Sequence, residues 1–216
     1  EEIARTARIG TDMRVVAALE ERRDTLQDLS DSEVKARLSQ ADEAWRAKNP
    51  ATIDSVTQGK LADLLRRYYS GTDNDPGHPG AVVMRSATRA LLLTDIQGRL
   101  VASTNQDVGY LHAQQPWWQG AYKNGVGQPY IGDLYFDERL GIYALAVSLP
   151  VMDRIRYQAI GVLHRIYDVK EFLDPSVYPV KFGKTGHSMV IDSAGTVLSC
   201  PIVPAGNRLA EPALIP

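Results

Sequence analysis

The chain has 216 residues, 44% apolar and 23% charged, with a formal net charge of −2. That apolar content excludes a disordered chain and is enough for one large core or two small ones. The near-neutral balance without a dense Lys/Arg block argues against a nucleic-acid or anionic-membrane surface, and the single Cys200 excludes an internal disulfide.

Residues 1–29 hold no proline and one glycine, Gly10, while Ile9, Met13, Val16, Leu19 and Leu26 recur at helical spacing. This predicts one long amphipathic helix, the longest element of the protein. Its stripe packs along its own sheet or pairs with the same helix of a second chain. Ser30 and Glu33 have the spacing of a capping box for a second helix running through Val34, Leu38, Ala41 and Trp45 to Asn49 and Pro50. A third helix is predicted over residues 52–69, followed by a turn-rich loop over 70–80. In that loop Asp73, Asn74 and Asp75 are consecutive rather than at alternating ligand positions, which is not a cation-binding pattern.

The stretch 91–172 is the most informative. Two apolar runs flank Asp95-Ile96-Gln97-Gly98, where Asp supplies a side-chain-to-backbone bond and Gly the positive φ of a hairpin turn. Pro116 suits the first turn of a helix that carries Trp117 and Trp118. Residues 130–141 interleave aromatics with acids (Tyr130, Asp133, Tyr135, Asp137), predicting a strand and a turn near Gly141. Residues 142–151 form a β-rich run too short to cross a membrane, and 159–172 read as a strand passing into a helix. The sum is an α+β fold with about five antiparallel strands and one helical side. On the last strand Val162, His164 and Ile166 share one face and Leu163 and Arg165 the other, so only one of His164 and Arg165 faces a given pocket. Residues 189–199 repeat the apolar–Asp-x-x-Gly–apolar pattern around Asp192 and Gly195.

Taken in order, the Asp-x-x-Gly hairpin, Pro-Trp-Trp helix, Tyr-x-Asp-x-x-x-Gly turn, Leu-Pro-Val strand and Ile-Gly-Val-Leu strand resemble the double Cache family. These are the extracytoplasmic, PAS-like sensor domains of bacterial transmembrane receptors such as sensor histidine kinases. The segment Gly183-Lys184-Thr185-Gly186 resembles the entry into the second module of that family. The resemblance implies a long N-terminal helix followed by tandem PAS-like modules. Residues 1–80 would be the helical region, 81–175 the ligand-binding module and 176–216 a second, partial module.

It also implies a small-molecule ligand in the first module, no cofactor or metal, and a periplasmic or extracellular location. The membrane would be reached only through segments absent from this chain. Tyr110, Trp117, Tyr135 and Asp137 match the family's ligand positions, but Gln115 stands where the family has an Arg that clamps a carboxylate. The family's last-strand Asp falls at His164 or Ile166, and neither is a carboxylate. With Tyr130 and Asp133 from the aromatic–acidic stretch, the candidate site is Tyr110, Gln115, Trp117, Tyr130, Asp133, Tyr135, Asp137 and His164. Each lost charged contact weakens binding by about 1.5–3 kcal/mol, so the departures predict poor binding of ordinary α-amino acids. No nucleophile elbow, phosphate loop or metalloprotease motif occurs, and a catalytic role is not expected.

Overall fold

The computed structural model describes residues 2–27, 29–70 and 87–209. Asp73, Asn74 and Asp75 lie outside them. The described chain opens with five helices: α1 (Glu2–Gly10), α2 (Met13–Gln27), α3 (Asp31–Arg46), α4 (Pro50–Thr57) and α5 (Lys60–Ser70). The six-stranded sheet follows, from β1 (Thr88–Asp95), β2 (Leu100–Ser103), β3 (Tyr130–Ile131), β4 (Tyr135–Asp137), β5 (Ile142–Met152) and β6 (Ala159–Asp168). Helix α6 (Pro116–Tyr122) lies between β2 and β3, and α7 (Val169–Val177) follows β6. The order across the sheet is β2-β1-β6-β5-β3, with β4 pairing β5 beside β3, and every pairing is antiparallel. The α+β class is as expected from the sequence.

The single long N-terminal helix is not. The chain leaves α1 at Gly10, and Asp12 starts α2 by accepting the Arg14 backbone N–H on Oδ1 at 2.9 Å while its carbonyl accepts from Val16 at 3.0 Å. Gly-Thr-Asp combines three weak helix formers with a strong N-cap, and that local preference outweighs the continuous apolar stripe. Among the described residues the longest helix is therefore α3, of 16 residues, not the N-terminal one. Its predicted capping box is present: Glu33 donates its N–H to Ser30 Oγ and its carboxylate accepts the Ser30 N–H at 2.9 Å. The third predicted helix is likewise two, α4 and α5, parted at Gln58-Gly59.

Helices cover both faces of the sheet, where the sequence suggested one. On the first face Ile9, Val15, Val16 and Leu19 of α1 and α2, with Leu64 and Leu65 of α5, pack on Leu91, Leu93 and Leu163. Thus the buried part of the N-terminal stripe is used within the chain, and Met13 is the exposed large apolar residue among the described side chains of α1 and α2. On the second face Trp45 of α3 and Val56 of α4 pack with Leu92, Leu100, Ala146 and Ile166.

Beyond α7 lie two small antiparallel pairs, β7 (Lys181–Phe182) with β8 (Gly186–His187) and β9 (Val190–Ile191) with β10 (Val197–Ser199). Both Asp-x-x-Gly turns form as read. Asp95 Oδ1 accepts from the N–H groups of Gln97 and Arg99, and Asp192 Oδ1 from those of Ala194 and Thr196, with Gly98 and Gly195 at φ of 68° and 78°. No helix among the described residues is long and apolar enough to cross a membrane.

Candidate functional site

The site begins with the register of three strands. Leu92 of β1, His164 of β6 and Ser148 of β5 lie abreast, as do Leu91, Arg165 and Val147 one step along, so each triplet projects to one face. His164 takes the second face and Arg165 the first. Ser148 Oγ and His164 Nδ1 share a hydrogen bond of 2.8 Å in full burial. Arg165 points into the helical layer, donating to Thr88 Oγ1 at 2.8 and 3.0 Å and lying 4.9 Å over the Tyr167 ring.

Helix α6 roofs the second face. Pro116 occupies its first turn, where a missing N–H costs nothing, and the next two residues diverge around the helix. Trp117 stacks on His164 with ring centroids 3.8 Å apart and planes 18° from parallel. Trp118 is buried on the other side of the helix, donating from Nε1 to Thr94 Oγ1 at 3.0 Å and stacking on Tyr122. Hence Trp117 faces the cavity while Trp118 ties the helix to the sheet.

The cavity under this roof has a volume of about 420 Å³. Leu92, Ile166 and Trp117 contribute to its apolar part, Gln115 lines it from the cap position before α6, His164 from β6, and Tyr135 and Asp137 from β4. Five of the eight residues singled out in the sequence therefore converge: Gln115, Trp117, Tyr135, Asp137 and His164. Three do not. Tyr110 is buried against Trp45, with centroids 5.6 Å apart, and borders an adjoining cleft of about 670 Å³ beside α3 that shares Asp107 and Arg139 with the cavity. Tyr130 packs beneath α6, its ring 2.4 Å from where a Cβ on Gly120 would stand, so that glycine is required by close approach. Asp133 is exposed in the loop between β3 and β4 and does not line the cavity.

Two of the further lining residues bear on its chemistry. His112 lines the cavity, its ring centroid 5.1 Å from that of Trp117, so the indole lies between two imidazoles. It is held there because residues 110–112 run beside the end of β2: Leu100 donates to the Tyr110 carbonyl at 2.9 Å and His112 to the Gly98 carbonyl at 2.8 Å. A side chain on Gly98 would strike the Ala113 backbone at 2.3 Å, which keeps that approach open only to glycine. Arg139, just past β4, also lines the cavity. The available sequence signal for His112 was its spacing of two from Tyr110 on an extended segment; for Arg139 there was none, because a turn set its direction.

Burial dominates the electrostatics. Desolvation lowers His112 to about 4 and His164 to about 3, so both rings are neutral near pH 7. Desolvation, helped by the neighbouring Asp137 carboxylate, pushes the Tyr135 phenol up to about 12. Asp137 also has a local task, its Oδ1 accepting from the N–H groups of Arg139 and Leu140 at 3.0 and 3.1 Å to shape the turn into β5. The lining carries the carboxylates Asp107, Asp137 and Glu138 against the one guanidinium of Arg139. Aromatic walls, an apolar floor and a few convergent polar groups suit binding of a small molecule.

Neither a family model nor a curated protein sequence matches the chain. Among solved structures it is similar to the ligand-binding domain of the amino-acid chemoreceptor PctC of Pseudomonas aeruginosa PAO1, solved with GABA. That match has 16% identity and a TM-score of 0.43, covering 79% of this chain and 74% of that one. The ligand-binding domain of the Pseudomonas fluorescens chemoreceptor CtaA, solved with L-serine, is 16% identical over 88% of this chain and 73% of that one, with a TM-score of 0.39. For the sensor domain of the V. cholerae histidine kinase DctB the identity is 18%, the coverage 85% and 66%, and the TM-score 0.37. At these identities and scores the likeness is one of outline and carries nothing about ligand or output.

Proposed function

We propose that this chain is the ligand-sensing part of a bacterial transmembrane receptor of the double Cache kind, lying on the periplasmic or extracellular side of the membrane and binding a small molecule in its first module. The observation that carries the reading is the convergence of Gln115, Trp117, Tyr135, Asp137 and His164 on one cavity of about 420 Å³ beneath α6. On this reading residues 81–175 form the sensing module, residues 176–216 a reduced second one and residues 1–80 the helical region. The output is a histidine kinase; a chemoreceptor or a diguanylate cyclase fits the same sensor. Dimerisation through the first helices is part of the proposal, with Met13 as the exposed apolar residue that α2 offers.

A thermal-shift screen against organic acids, amino acids, amines and purines tests this. A ligand present at 100 times its dissociation constant adds about 2.7 kcal/mol to the stability of the folded state. The expected result is a hit whose shift disappears in Trp117→Ala. A screen without response, or a hit indifferent to Trp117, would instead favour a structural module whose cavity binds nothing.

A further inference from the structure

Among the described residues, one buried side-chain polar atom has no hydrogen-bond partner, and it is Nε2 of His112. The residue is only 6% exposed and lies in the cavity wall. A polar atom sealed from water without a partner is costly, and native structures seldom keep one without a use for it. The rest of the ring is engaged: the Gly109 backbone carbonyl acts on it in the sense that favours a ring proton, and Trp117 packs against it. A neutral imidazole that donates to a carbonyl through one nitrogen presents the other as an acceptor. What Nε2 lacks is therefore a donor.

Resting on the cavity's being a ligand site, we propose that His112 Nε2 accepts a hydrogen bond from an N–H group of the ligand, and that the ligand is a small organic amine carrying an ammonium rather than a carboxylate at that end. The charges around the ring agree. Asp107, Asp137 and Glu138 line the same cavity and outnumber Arg139; on the ring itself Arg139 opposes a positive charge and Asp42 favours one, and the neutral His164 ring lies across the Trp117 indole. A carboxylate placed here would meet an acceptor lone pair beside a majority of negative charge. An ammonium meets an acceptor and nearby carboxylates, both of which favour a cation. Leu92, Ile166 and Trp117 provide for a short apolar tail. His112 is thus a specificity-determining residue that the family resemblance does not assign.

The test uses a matched pair of probes, n-butylammonium and butyrate, at millimolar concentration with the whole chain at pH 7.5. Binding is followed by saturation-transfer NMR and by the nitrogen-15 resonance of His112 Nε2. The expected result is saturation transfer to butylammonium but not to butyrate, an upfield move of the His112 Nε2 resonance on adding butylammonium, and about tenfold weaker binding in His112→Phe. That loss should be partly restored in His112→Gln, whose amide oxygen keeps an acceptor near the same place. Because the resonance is read in the unsubstituted protein, misfolding of a variant does not remove the test. Binding of butyrate that is lost in Arg139→Gln, or butylammonium binding that leaves the His112 resonance unmoved, would overturn the amine proposal while retaining the cavity as a site. Silence of both probes together with a flat general screen would overturn the sensing function as well.

Discussion

The two faces of the central sheet hold opposite chemistry one residue apart. Leu163 of β6 is enclosed by aliphatic side chains of α2, α5 and β1, whereas the next residue, His164, lies beneath an indole, bonded to a serine and bordering a cavity. Away from the buried Arg165, apolar contact dominates the first face, and such burial contributes roughly 25 cal/mol for each Å² of apolar surface. The second face forgoes part of that packing to keep two neutral imidazoles and an open volume. Regions that bind ligands are commonly the less stable parts of a fold, and this division places that weakness on one side of a well-packed sheet.

The largest expected effect breaks the comparison on its stable side. Leu19 is fully buried on the first face, so Leu19→Ala should cost about 2–5 kcal/mol in urea denaturation while leaving the affinity of any cavity ligand unchanged in the folded protein. A loss well under 1 kcal/mol, or a parallel loss of binding, would mean that the faces are not separate in this way.

Acid should act on the other side. His112 and His164 have folded pKa values of about 4 and about 3, against about 6.5 in an unfolded chain. Between those limits the unfolded state binds more protons, so the stability gained from neutral rings is fully present above about pH 6.5 and is lost as pH falls. The slope approaches 1.4 kcal/mol per pH unit for each ring, ending near pH 4 for His112 and near pH 3 for His164. Urea denaturation at pH 7.5, 6.5 and 5.5 measures it, and His112→Phe should show a shallower decline. A flat profile would contradict the burial of neutral rings.

A smaller effect sharpens the same contrast. Ser148→Ala removes the partner of His164 Nδ1 at 2.8 Å and should cost about 1–3 kcal/mol. It should also loosen the ring against which Trp117 stacks. The check is a double-mutant cycle with Trp117→Leu, in which clearly non-additive stabilities are expected and strict additivity would separate the ring pair from the serine.

The sequence by itself determined the features that depend on near neighbours. The Asp95 and Asp192 turns, the Ser30 cap, Pro116 at the first turn of α6, and the alternation that sends His164 and Arg165 to opposite faces each follow from bonds within a few residues or from the period of a strand. The helix break at Thr11 and Asp12 was also written locally, in Gly-Thr-Asp, but the apolar stripe running through it concealed the cap. Tertiary structure alone decided which aromatics became wall and which became core. Trp117 and Trp118 are adjacent and chemically identical, and only the position of α6 on the sheet gives one a histidine and the other a threonine. It likewise decided that Tyr110 turns toward Trp45 and Tyr130 toward Gly120, and that His112 keeps a nitrogen without a partner. Contacts between residues far apart in the chain are fixed by how layers settle on one another, and no local spacing encodes that arrangement.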